Sequence, residues 1–143
     1  MISVSPETLK NLVKIQNLPA EIEKASERAL DESAAAILNR LRTGYLQETD
    51  PFGKPWIPSL AGAKRRARGR GFTLFDTGRL FHSIQLYRTA PGERLIGTDV
   101  PYAGWLNFGT SKMVARPFLA VTEEHVQLSL AIYTFRLSEA LYD

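Results

Sequence analysis

Residues 20–47 read AEIEKASERALDESAAAILNRLRTGYLQ, and this stretch decides the fold. Ile22, Ala25, Ala29, Ser33, Ile37, Leu41 and Tyr45 recur at three- and four-residue steps, the spacing of one helix face. Ser33 is the only polar member, and it is small enough for a packed edge. Glu21, Glu23, Glu27, Asp31 and Glu32 crowd the first half, while Arg40 and Arg42 lie near the end. That order complements the helix dipole. Gly44 is the one weak point, so the sequence predicts a helix from Ala20 to about Gln47. Upstream, Ser5-Pro6-Glu7 has the composition of a helix start. Leu9, Leu12, Val13 and Leu18 give a short first helix an apolar edge. Asn17-Leu18-Pro19 is expected to end it and begin the long one, because proline removes a backbone donor.

Downstream, Asp50-Pro51-Phe52-Gly53-Lys54-Pro55-Trp56-Ile57-Pro58 holds three prolines in nine residues. It cannot be helix interior or central strand. Phe52, Trp56 and Ile57 are expected to pin it as an ordered loop. The segment AKRRARGRGF, residues 63–72, follows at once, loosened by Gly62, Gly69 and Gly71. Residues 49–72 therefore read as one long connection, of a length that is uncommon in a compact domain without a function.

Asp76 to Ile84 reads as a short helix capped by Asp76 or Thr77. Ile84–Arg88 and Arg94–Thr98 flank Ala90-Pro91-Gly92, a hairpin signal. Pro101–Gly109 reads as a short helix ended by Gly109. Thr110–Val114 is a polar loop, and Ala115–Leu119 is extended ahead of and around Pro117. Thr122-Glu123-Glu124 opens a last helix. That helix carries two apolar stripes: Val126, Leu130, Tyr133, Leu137 and Leu141, and Leu128, Ile132 and Phe135. One stripe suits the core and the other a neighbouring subunit, so Leu128, Ile132 and Phe135 are candidate subunit contacts. The fold class expected is α+β: a long N-terminal helix and a C-terminal helix packed on a small antiparallel β-sheet, with a long basic loop. The 143 residues fit a single domain, with a helical lead-in over 1–48, the loop over 49–72 and an α+β core over 73–143.

Composition narrows the chemistry. There is no cysteine, which excludes disulfides, thiolate metal sites and a cysteine nucleophile. Only His82 and His125 are present. His82 sits beside Ser83, but adjacent helical side chains diverge and do not make a nucleophile–base pair. His125 follows two glutamates, which reads as a solvated first turn; a metal-dependent nuclease around Glu123, Glu124 and His125 is a distant third reading of the chain. No phosphate-binding glycine motif and no paired-carboxylate signature occurs. No catalytic residue, metal or cofactor is expected. No apolar run is long enough to span a membrane, and the first residues lack the pattern of a signal peptide.

The charge is uneven. Residues 1–62 carry seven basic and eight acidic groups, residues 73–143 carry six and seven, and residues 63–72 carry five basic groups and no acid. The basic excess thus lies in Lys64, Arg65, Arg66, Arg68 and Arg70. Three readings stand: contact with phosphate, a solvated mobile loop, or ordering on the acidic surface of another copy. Five phosphate contacts would give a log–log salt slope of about −4.5. Gly53, Gly78, Gly104 and Gly109 lie beside aromatics or caps, where positive φ or close approach is expected. Trp56, Tyr102, Trp105, Phe108 and Phe118 are mostly expected to pack as satellite core.

The order of these pieces carries a resemblance. Asp50-Pro51-x-Gly53-x-Pro55-Trp56-x-Pro58 comes first, followed by the basic segment. Leu74-x-Asp76-Thr77-Gly78-x-Leu80-x-x-Ser83-Ile84 and Ile96-Gly97-Thr98-x-x-Pro101-Tyr102-Ala103 come next. Phe108-Gly109-Thr110 and Ala115-Arg116-Pro117-Phe118-Leu119 close the series. From about Leu30 to Thr122 the chain resembles the phage virion-morphogenesis, or tail-completion, family and related neck proteins. Leu106-Asn107 stands where many relatives carry His-Gln. The resemblance implies a non-enzymatic structural protein of a tailed phage or prophage, acting at the head–tail joint. It implies a ring of copies of itself, other neck and tail proteins as partners, passing DNA as a sequence-independent contact, and no membrane. It places the protein in the virion, and in the host cytoplasm during assembly. Pro51, Gly53, Trp56, Gly78, Leu80, Tyr102, Phe108, Gly109, Arg116, Pro117 and Phe118 are the motif residues, with structural roles. The alternative is a small nucleic-acid-binding protein using residues 64–70.

Overall fold

The computed structural model describes residues 6–142, with side chains described from residue 19 to residue 142. Helix α1 spans Pro6–Leu46, 41 residues and about 60 Å of rise. The break expected at Asn17-Leu18-Pro19 does not occur, and α1 runs through Pro19. An interior proline costs a helix about 3 kcal/mol; Pro19 and Ala20 are exposed, and the first buried side chain among the described residues of α1 is Ala25. Ser5 and the side chains of Leu9, Leu12, Val13 and Leu18 lie outside the described residues. Ala25, Ala29, Ser33, Leu41 and Tyr45 are buried as their spacing implies, together with Ala34 and Leu38.

The chain then turns at Glu48, which adopts φ 56°, and closes a tight loop through a Thr49–Pro55 bridge. Helix α2 follows at Leu60–Ala67, helix α3 at Arg79–Ser83, strands β1 and β2 at Gln85–Ala90 and Glu93–Gly97, helix α4 at Ala103–Phe108 and helix α5 at Glu123–Tyr142. The strands form a two-stranded antiparallel sheet with Leu86 opposite Ile96, and Gly92 at φ 76° closes the turn after Pro91. The architecture is the α+β arrangement of long N-terminal helix, C-terminal helix and small antiparallel sheet. Helix α1 is its spine, packing against α5 and against both strands.

Tyr45, Ile84 and Phe118 are fully buried at the centre, joined by Leu38, Trp56, Leu80, Val100 and Ala103. Tyr45 meets Trp56 edge-on at 5.2 Å and Phe118 at 5.7 Å between ring centroids. Its hydroxyl donates to the Leu74 carbonyl at 2.5 Å, and burial pushes that hydroxyl well above the ordinary tyrosine range. Leu74 is held with φ 62°, a left-handed conformation that is unusual for a bulky side chain.

Two expectations about the loops are corrected. Residues 60–67, expected in a long basic loop, are helical. Ser59 caps α2 by accepting the Gly62 N–H at 2.9 Å. The decisive residue is Gly62: a Cβ there would lie 2.5 Å from Thr73 Oγ1 and 2.7 Å from Thr73 backbone atoms. Only glycine lets α2 lie down on Thr73, so the glycine read as a loosener is a packing contact. The short helix α3 begins after Gly78 at φ 83° rather than at a side-chain cap on Asp76 or Thr77. Thr77 still accepts the Arg79 N–H at 3.3 Å.

Candidate functional site

The motif residues interlock. Trp56 donates its indole N–H to the Pro117 carbonyl at 2.7 Å. Arg116, only 9% exposed, donates through Nε to the Ile57 carbonyl at 2.6 Å and through Nη2 to the Pro58 carbonyl. Phe118 fills the space beside Tyr45. Gly109 adopts φ 75°, and a Cβ there would sit 2.7 Å from the Ala115 nitrogen. The segments around residues 56, 109 and 117 thus form one interlaced layer against the end of α1. Leu80 is buried in the core and Tyr102 packs on its edge. Gly53 has φ 88°, but Gly104 has neither positive φ nor a close neighbour, against expectation.

The residue that organises this layer is Asn107, which sequence reasoning passed over. Its Oδ1 accepts the N–H groups of Phe118 and Leu119 at 2.9 and 3.0 Å, and its Nδ2 donates to the Leu119 carbonyl at 3.2 Å. The amide serves as a substitute strand partner for an extended segment that has no sheet neighbour. A buried asparagine inside an otherwise apolar short helix was the available signal.

Pinning by aromatics is narrower than expected. Trp56 is buried, but Phe52 and Ile57 are exposed, as are Trp105 and Phe108. Pro51 is half-buried in the loop that carries Phe52.

The basic residues divide. Arg66 pairs with Glu48, whose other oxygen accepts the Thr73 N–H. Arg65 donates to the Phe72 carbonyl at 3.2 Å and lies 3.9 Å from Asp76. Lys64, Arg68 and Arg70 have no acidic partner among the described residues and project from α2 and its end. The acids of α1 are also committed internally. Arg94, with its side chain 3% exposed, donates to Glu27 and Asp31, and Arg136 on α5 pairs with Glu32. Those arginines hold the three carboxyls below their ordinary values. Glu27, Asp31 and Glu32 are therefore paired within the subunit, while Glu21 and Glu23 are exposed and have no basic partner among the described residues.

On α5, His125, Ile132 and Arg136 share the face against α1. Leu128 and Ile132 are half-buried, whereas Phe135 is exposed, so the expected stripe is split between the two sides. Val126, Leu130 and Leu141 from the other stripe are also exposed. His125 is not part of a solvated turn: it is 3% exposed, its Nδ1 accepts the Thr122 N–H, and its own N–H donates to Thr122 Oγ1. Burial lowers its pKa. His82 lies exposed, edge-on to Phe81. Among the described residues no group of three or more His, Asp and Glu side chains is placed to hold a metal, and no helix is long and apolar enough to cross a membrane. Comparison with protein-family models, curated proteins and solved structures gives no match for the chain.

Proposed function

We propose that the chain is a structural, non-enzymatic protein of a tailed phage or prophage virion, acting at the neck in tail completion or head–tail joining as a ring-forming subunit. The observation that carries this reading is the exposed apolar surface on both flanks of α5. Val126, Leu130 and Leu141 are exposed along one flank of α5, and Phe135 and Tyr142 along the other, on a helix whose remaining face packs against α1. Exposed apolar area of this kind marks an interface. Repetition of one subunit around a closed ring buries such a face without a second kind of partner. The interlaced layer of Trp56, Arg116, Pro117 and Phe118 supports the resemblance, because the quoted motifs are far apart in sequence and meet in space.

The test is genetic and visual. Removal of the coding sequence from the parent phage should leave unjoined heads and tails in electron micrographs, and purified chain should restore joined particles. Normal particles without the chain would overturn the proposal.

The nucleic-acid alternative rests on Lys64, Arg68 and Arg70, the three cations of the segment without acidic partners among the described residues. Three phosphate contacts give a log–log salt slope of about −2.7. Replacement of these three by glutamine separates the readings. Joining that is untouched while duplex retention disappears favours nucleic-acid binding; impaired joining with no duplex retention in the wild type favours assembly.

A further inference from the structure

Arg65, Arg79 and Arg116 line one cleft of about 390 Å³ between the start of α2, the turn before α3 and α4. Asp76 is the only carboxylate on its wall, so the cleft carries a net excess of two positive charges. Arg116 is committed to backbone carbonyls through Nε and Nη2, and Arg65 through one nitrogen. Arg79 is exposed, has no acidic partner among the described residues, and lies with its guanidinium carbon 6.0 Å from the Tyr102 ring centroid. Leu74, Leu80, Leu106 and Met113 give the cleft an apolar stretch of wall, beside Tyr102, Ser59 and Thr77. Leu74 has φ 62°, and its carbonyl accepts the Tyr45 hydroxyl. Strained backbone of this kind persists where the surrounding structure over-determines it, and such positions cluster at binding sites.

From this pairing of guanidiniums with an apolar wall, we infer that the cleft docks an extended peptide segment of another protein, one that presents a carboxylate beside a large apolar side chain. Guanidiniums recognise carboxylates with charge-assisted, often bidentate hydrogen bonds. Phosphate alone would satisfy the arginines but leave the leucine and methionine wall wet. A duplex backbone has no apolar group to place there, so charge and apolarity together select a peptide. The segment's carboxylate meets Arg79 and the remaining N–H groups of Arg65 and Arg116, and its apolar neighbour lies on Leu74 and Leu106. Asp76 sets the selectivity by repelling a second acid placed close to the first. Peptide docking in this cleft is independent of ring formation, so its failure leaves the oligomeric state of the chain untouched.

The test is an amide NMR titration of the full chain with the blocked peptide acetyl-LELQF-amide, its neutral analogue acetyl-LQLQF-amide, inorganic phosphate and a short DNA duplex. The acidic peptide is expected to give saturable shifts at Arg79, Tyr102, Leu106 and Met113. The neutral analogue and the Arg79→Gln variant should each weaken binding about tenfold, the scale of one charge-assisted hydrogen bond. Lys64→Gln, which removes a charge outside the cleft, should leave binding unchanged. No saturable shift with the acidic peptide, equal binding of the neutral one, or equal loss with Lys64→Gln would overturn the inference. Shifts of the same residues by duplex or phosphate, without the peptide effect, would assign the cleft to phosphate instead.

Discussion

The indole N–H of Trp56 and the carbonyl of Pro117 meet at 2.7 Å across 61 residues of sequence. This bond joins the proline-rich loop to the extended segment before Phe118, and both close over the end of α1. Trp56→Phe keeps most of the ring but leaves the Pro117 carbonyl without its donor. It should cost about 1–3 kcal/mol. Phe118→Ala, at a side chain only 1% exposed, should cost about 3–5 kcal/mol. Denaturant midpoints check both, and an unmoved midpoint for Phe118→Ala would place that ring outside the core.

Asn107→Leu preserves size and apolar character but orphans the N–H groups of Phe118 and Leu119, which now reach Oδ1 at 2.9 and 3.0 Å. An unsatisfied buried donor costs about 1–3 kcal/mol. The variant should therefore lose at least about 2 kcal/mol, with faster amide exchange at Phe118 and Leu119. Wild-type stability in Asn107→Leu would show that this segment needs no partner.

His125 makes stability depend on pH. Burial holds its imidazole below the ordinary value of 6.5, with Arg40 adding to the effect and Glu124 opposing it. Nδ1 accepts the Thr122 N–H, so a proton there has no place in the fold. The unfolded chain binds that proton more readily. Stability is therefore full above about pH 6.5 and falls as pH drops below it. Glu27 and Asp31, held down by Arg94, contribute stability that is lost only at lower pH, below their ordinary values of 4.5 and 3.8. The thermal midpoint of the wild type should decline between about pH 6.5 and 5, and His125→Gln should stay flat there. A wild-type midpoint constant to about pH 5 would show that the folded imidazole protonates freely.

Elements built from local periodicity were legible in the sequence. The face Ala25, Ala29, Ser33, Leu41 and Tyr45 could be read because a helix repeats its environment every three to four residues. The hairpin was legible from Pro91-Gly92, and α5 from Thr122-Glu123-Glu124. The helix over residues 60–67 had local signals in the Ser59 cap and in Leu60, Ala61, Ala63, Lys64, Arg65, Arg66 and Ala67, but the surrounding glycines and prolines pointed to a loop, and the contact of Gly62 with Thr73 is not visible in sequence. The continuity of α1 through Pro19 was not legible, because a proline's local cost argues for a break that the helix does not make. The pairing of α1 acids with Arg94 and Arg136 could not be read either, since net charge by segment says nothing about partners across the fold. The motif residues Trp56, Arg116 and Phe118 were recognisable as a set, but not the Asn107 amide that holds them in register.

In the ring proposed above, the exposed apolar flanks of α5 form the interface between copies of this chain. Sedimentation velocity over a wide concentration range tests it directly, on the wild type and on Leu130→Lys and Phe135→Lys, two exposed positions. The wild type should sediment as a closed multiple of its 16.0 kDa chain mass, and both variants should fall to the mass of one chain with unchanged circular dichroism. A wild type that stays at 16.0 kDa at every concentration, or an oligomer indifferent to both lysines, would contradict it.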